Sequence, residues 1–167
     1  MQTIKEKFFQ DQVEYLRLEC EQQPKLRTFI KFKQFELLPA SLTFFQRKHI
    51  AKIRLGSLAL RIESGRYSRP RLEIHERICP VCIKNKIQQG LAPEIENEVH
   101  FLFFCDQYDN LRVKWFSTLN KPENFYMLDD ATKLNIVLNQ QENCKPSAQF
   151  IVDAYGLRSN LLINKSK

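Results

Sequence analysis

No apolar run in this sequence approaches the ~20 residues that span a bilayer. The first residues, Met1-Gln-Thr-Ile-Lys-Glu-Lys7, are charged and precede no apolar stretch with a small-residue cleavage site, so secretion by a standard signal is not expected. Glycine is scarce at 4 of 167 residues, which excludes a collagen-like chain, and neither internal repeats nor low-complexity tracts occur. Cysteine numbers 5, an odd count in a chain expected in a reducing compartment, so a disulfide framework is not the first reading. The length leaves no room for a complete polymerase or a multidomain enzyme. What remains is ordinary globular material. With 43% apolar residues, 27% charged residues and 13 Phe, a chain of this size buries roughly 70% of the surface its unfolded form exposes.

The net charge of +7 is concentrated. Residues 78–167 balance, and residues 1–36 carry an excess of one. The excess lies in residues 47–77, where Arg47, Lys48, Lys52, Arg54, Arg61, Arg66, Arg69, Arg71 and Arg77 face only Glu63, Glu73 and Glu76. A charge run can simply be a solvated face. Arginine nevertheless dominates here, and its planar fork matches phosphate oxygens in pairs, which points to a nucleic-acid backbone.

The periodicity predicts a mainly α protein. Residues 3–22 and 25–38 read as helices, with a third beginning at Leu42 after Ser41 as N-cap. In that third helix Leu42, Phe45, His49, Ile50 and Ile53 share one side, and Arg47, Lys48, Lys52 and Arg54 the other. His49, on the apolar side and without a suitably spaced cysteine, reads as a core or boundary residue. Residues 57–63 form a short helix or bent extension, and Ser64 to Arg77 a basic loop in which Tyr67 either stacks on a base or tethers the loop. Helices follow at about 107–119 after Asp106, at Asp129-Asp130 onward, and at about 147–162 after Pro146. The organisation is 1–40 as N-terminal helices, 41–77 as basic helix and loop, 78–120 as a metal segment with its following helix, and 121–167 as C-terminal helices.

The metal segment has the form Cys79-x2-Cys82-x17-His100-x4-Cys105. A two-residue gap lets two thiolates of one tight turn reach a single ion, and structural zinc takes four tetrahedral N or S ligands. The second pair fits a short helix capped by Asn97. Other readings are open: the cysteines as small buried residues, a redox Cys-x-x-Cys, or His75 in place of His100. No βαβ pattern accompanies the redox alternative, and His75 lies upstream of the turn. Cys20 and Cys144 read as structural. Four protein ligands would leave zinc no open position for water, so the site would be structural rather than catalytic.

Residues Ile50 to Tyr67, Arg77-Ile-Cys-Pro-Val-Cys82, Glu98-Val-His-Phe-Leu-Phe-Phe-Cys105 and Tyr108-Asp-Asn-Leu-Arg112 together resemble the C-terminal zinc-binding region of non-LTR retrotransposon reverse transcriptases. Lys25-Leu-Arg-Thr28 and the run from Phe150 to Arg158 are similar to its flanks, so the likeness spans almost the whole chain. The resemblance implies a helical, zinc-stabilised domain with a small zinc-knuckle and short-hairpin insertion, following the polymerase and helping to hold template RNA or target DNA. It implies Zn2+ on Cys79, Cys82, His100 and Cys105, an intracellular and nuclear location, and the polymerase domain as a partner.

The expected function is therefore a non-catalytic nucleic-acid-binding module. Arg47, Lys48, Lys52, Arg54, Arg61, Arg66, Arg69 and Arg71 would contact phosphates, with Tyr67 among them, giving affinity without much sequence reading. A second expectation is a protein-interaction scaffold whose basic face docks a polymerase or another acidic partner, since base-reading motifs such as a C2H2 finger are absent. An enzyme is the third, and it lacks a carboxylate cluster beside the basic loop. Tyr126-Met-Leu-Asp-Asp130 is similar to a polymerase metal motif, but its spacing differs, and capping of the next helix accounts for both aspartates.

Overall fold

The computed structural model describes residues 38–164, so the helices expected over 3–22 and 25–38, and with them Cys20, lie outside the described residues save for Leu38. The described residues are mainly helical and contain no β-strand. Six α-helices follow in order: α1 Phe44–Arg54, α2 Arg61–Ser64, α3 Ile83–Gln88, α4 Asp109–Thr118, α5 Asp130–Asn139 and α6 Gln141–Asn164. None of them is long and apolar enough to cross a membrane.

α1 starts two residues later than expected, because Thr43 rather than Ser41 caps it. The Thr43 hydroxyl accepts from Gln46 N at 3.3 Å and Thr43 N donates to Gln46 Oε1 at 2.9 Å, a reciprocal capping box. In that register Gln46, Ile50 and Ile53 turn inward at i, i+4 and i+7, and Phe45, about 100° away from Gln46, is left 63% exposed. His49 is half-buried, its ring 5.6 Å from that of Tyr155, as a boundary histidine should be.

α6 is the element on which α1, α4 and α5 all pack. It runs through Pro146 instead of beginning after it. A proline inside a helix costs about 3 kcal/mol, and here burial offsets it. Asn143, Cys144, Ser147 and Ala148 around it are all at 0–1% exposure, and Asn143 Nδ2 donates to Asn120 O and Ile136 O. Asp129 caps α5 as expected, accepting from Ala131 N at 2.9 Å and Thr132 N at 3.0 Å. Between these helices lies an aromatic core in which Trp115 stacks on Phe150 with ring centres 4.2 Å apart. Phe103 and Phe116 contact Trp115, and Phe101 meets Phe150 and Tyr108. Phe101 and Phe103 come from the metal segment, so this core is also the floor on which that segment rests.

Candidate metal centre

The expected short hairpin amounts to one antiparallel bridge, Ile78 with Ile95. Cys79 N donates to Glu94 O at 2.8 Å and Glu96 N to Arg77 O at 2.9 Å, which fixes Cys79 beside the returning chain. Pro80 and Val81 turn the backbone so that Cys82 stands at the start of α3.

The second pair of ligands depends on an unusual helix. In an α-helix, residues five apart point about 140° away from each other, so His100 and Cys105 could not converge. Residues His100–Phe104 instead form a π-helical turn, closed by Cys105 N donating to His100 O at 2.8 Å. Such wide turns recur at functional sites. Asn97 caps the turn as expected, its Oδ1 accepting from His100 N at 2.8 Å.

All four side chains are buried, and their ligand atoms lie within 4.8 Å of one another. Cys79 Sγ is 3.9 Å from Cys105 Sγ, and Cys82 Sγ is 3.5 Å from His100 Nε2. This group could hold a metal ion. His75 is exposed and outside it.

Around the four is a shell of polar groups that orients them. His100 Nδ1 donates to Glu94 Oε2 at 2.6 Å, which turns Nε2 toward the sulfurs. The Lys86 ammonium, 2.9 Å from Glu94 Oε1, holds that carboxyl below the usual range. Glu96, 1% exposed, takes Arg158 on both oxygens at 2.7 and 2.8 Å, receives Arg61 N at 2.6 Å, and lies 3.9 Å from Cys79 Sγ. Arg112 donates to Leu102 O at 2.9 Å and Cys105 O at 2.7 Å, satisfying carbonyls that the end of the π turn leaves open. Glu94, Glu96, Arg112 and Arg158 had no assigned role in the sequence reading. A carboxylate in the loop between the two ligand pairs was the available signal for Glu94, since a ligating histidine commonly donates its second nitrogen to one.

The charges explain what the cluster lacks by itself. The Cys105 thiol donating to Cys79 lowers the Cys79 thiol to about 3, against the opposing effect of burial. Burial and the neighbouring Cys79 charge push Cys82 up to about 12, and Cys105 is raised by its bond to Cys79 and then by burial. A thiolate at one sulfur thus disfavours ionisation of its neighbours. A divalent cation among them removes that competition, because it stabilises every thiolate it touches.

The basic segment divides in two. Arg54 donates to Leu138 O at 3.0 Å and lies 3.3 Å from Cys144 Sγ, so it serves the α1–α5 junction, and buried Cys144 is structural as expected. Arg77 is 3% exposed and ties the basic loop shut, donating to Ile62 O at 3.0 Å and to Leu72 O at 2.9 and 3.1 Å. A Cβ at Gly65 would lie 2.8 Å from Arg77 Cγ, which accounts for the glycine there. Arg47 folds back onto Leu42 O and Ala40 O at 2.9 and 2.8 Å, and Arg66 pairs with Glu63 at 3.4 Å. Arg61 is half-buried. Lys48 and Lys52, one turn apart on α1, and Tyr67, Arg69 and Arg71 in the loop are exposed.

Comparison of the chain with protein-family models, curated proteins and solved structures found no match.

Proposed function

We propose that the chain is a zinc-stabilised, non-catalytic module that holds nucleic-acid backbones, of the kind that follows the polymerase in non-LTR retrotransposon reverse transcriptases. The observation that carries the zinc assignment is the pair of distances within the cluster. Zn–S bonds of about 2.3 Å and Zn–N bonds of about 2.05 Å at tetrahedral angles require S–S edges of about 3.8 Å and S–N edges of about 3.6 Å. The 3.9 Å and 3.5 Å separations fit those edges. Three sulfurs and one imidazole also suit zinc by ligand chemistry, and four protein ligands leave no position for a reacting water.

The nucleic-acid reading rests on where the cations are. With Arg54 and Arg77 turned to the fold, the exposed cations most available to phosphates are Lys48, Lys52, Arg69 and Arg71, and Tyr67 lies within the same loop. The stretch of α2 and this loop is braced at both ends by Glu96: α2 opens at Arg61, whose N–H bonds the Glu96 carboxylate, and the loop ends at Arg77, whose O receives Glu96 N. Nuclear action follows from the same resemblance.

Binding of fluorescent DNA and RNA to the metal-loaded chain at several salt concentrations tests this. Four phosphate contacts predict a fall in affinity of about 150-fold between 50 and 200 mM salt. Metal analysis should return one zinc per chain. Salt-independent binding, or binding to neither nucleic acid, removes the proposal.

A further inference from the structure

Between Cys82 and Glu94 the chain leaves the metal cluster and returns to it, and most of what lies between faces solvent. Every residue from Ile87 to Pro93 is exposed, as are Lys84 and Asn85. This excursion is nevertheless well fixed. α3 begins at the ligand Cys82 and ends in a Schellman motif, with Gly90 N donating to Ile87 O at 3.0 Å and Leu91 N to Lys86 O at 2.8 Å. Gly90 sits at φ 70°, and a Cβ there would meet nothing within 4 Å, so backbone conformation and not space selects glycine. Lys86 then ties the helix to Glu94, and Glu94 to the ligand His100.

The chemistry of the exposed face is specific. From Ile83 to Pro93 there is no acidic residue, but there are two lysines and three amides. Asn85, Gln88 and Gln89 stand at i, i+3 and i+4, which puts them on one side of the helix, and none of their side chains hydrogen-bonds to another described residue. Ile87, 61% exposed, points to the opposite side of the helix from these amides.

We infer that this metal-braced finger is the base-reading element of the module, entering the major groove of duplex DNA with Asn85, Gln88 and Gln89 toward A·T pairs. The inference rests on the nucleic-acid reading above and extends it, since phosphate contacts alone carry no sequence information. Asparagine and glutamine amides match the N6–H and N7 of adenine as a donor and acceptor pair. A helix of 10–12 Å diameter fits the roughly 12 Å major groove of B-DNA. The deep, narrow major groove of duplex RNA would not admit it. Lys84, exposed at the root of the finger, is available to a flanking phosphate.

The test uses the full zinc-loaded chain and a pool of double-stranded DNA with a randomised core. Selected duplexes should be enriched in A·T steps, and the preferred duplex should bind about five- to more than a hundredfold tighter than a G·C-substituted one. The triple variant N85A/Q88A/Q89A should bind both duplexes alike, with zinc content, helicity and salt slope unchanged. Alanine favours helix more than the residues it replaces, so α3 is retained. A wild-type chain that binds DNA with no preference overturns the inference and leaves the backbone-binding module standing. So does a preference that survives in the triple variant. Failure to bind any DNA or RNA even at 50 mM salt overturns both.

Discussion

In the helices α4, α5 and α6 the buried groups are mostly apolar, among them Trp115, Leu134, Val137, Phe150, Ile151 and Ala154, with Arg112, Asn143, Ser147 and Arg158 the polar exceptions, whereas in residues 78–105 they include Cys79, Cys82, Glu96, His100 and Cys105. The first set gains free energy from leaving water, at roughly 25 cal/mol per Å² of apolar surface. The second set loses free energy on burial unless each group finds a charge or a hydrogen bond. The regular structure differs accordingly. The bundle offers three helices of ten or more residues, and the metal segment offers one bridge, a six-residue helix and a π turn. On the proposed reading the bundle holds its shape largely from its own side chains, and a cation in the Cys/His cluster would complete the segment 78–105.

The sharpest way to test that contrast is to remove the metal. Binding free energy of structural zinc is of the order of 10 kcal/mol in small zinc-folded peptides, and it is folding free energy. Chelation, or Cys79→Ser, should abolish hydrogen-exchange protection in residues 78–105 while the middle of α6 keeps most of its protection. Loss of both regions together at the same chelator concentration would break the comparison and make the metal the keystone of the whole fold.

The two regions are joined by one buried ion pair, Arg158 of α6 with Glu96 of the metal segment. Removing one partner of such a pair typically costs about 3–5 kcal/mol, because the other charge is left buried alone. Arg158→Met should lower the unfolding free energy from denaturant titration by that amount, and the double variant Arg158→Met/Glu96→Leu should recover part of it. No recovery in the double variant would mean that Glu96 matters through Arg61 N and Cys79 rather than through Arg158.

The same contrast governs what could be read from the sequence. The clustering of Cys79, Cys82, His100 and Cys105 was legible because Cys-x2-Cys and His-x4-Cys are local spacings, and Asn97 and Asp129 were legible because capping is a local hydrogen bond. The run through Pro146 was not, since burial of Asn143, Cys144 and Ser147 against distant residues overrides a local breaker. Phe45 was misplaced because it lies at the edge of the apolar stripe, about 140° round α1 from the buried Ile50, where spacing alone does not settle burial. Among the arginines, charge alone could not separate Arg54 and Arg77, which bond backbone carbonyls far along the chain, from Arg69 and Arg71, which face solvent. Fold class and the Cys/His cluster thus follow from short-range chemistry, and the shell around the cluster follows from tertiary contacts that no spacing encodes.

The finest probe of the metal segment is Glu94, whose effect passes entirely through another residue. Its Oε2 accepts from His100 Nδ1 and its Oε1 from Lys86, so it sets the rotation of the imidazole and the direction of Nε2 without touching the sulfurs. Outer partners of this kind contribute 10–100-fold in metal affinity, or about 1.4–2.7 kcal/mol. Glu94→Ala should weaken zinc binding within that range in a competition titration with a coloured chelator, and leave the unfolding of the chelated chain unchanged. Glu94→Gln should weaken it less, because the amide oxygen still accepts from Nδ1 but without the charge. If Glu94→Ala lowered the stability of the chelated chain as much as that of the loaded chain, the carboxylate would be a structural brace of the bridge at Ile78 and Ile95. The metal segment would then owe more of its order to its own hydrogen bonds, and the difference from the bundle would be one of degree.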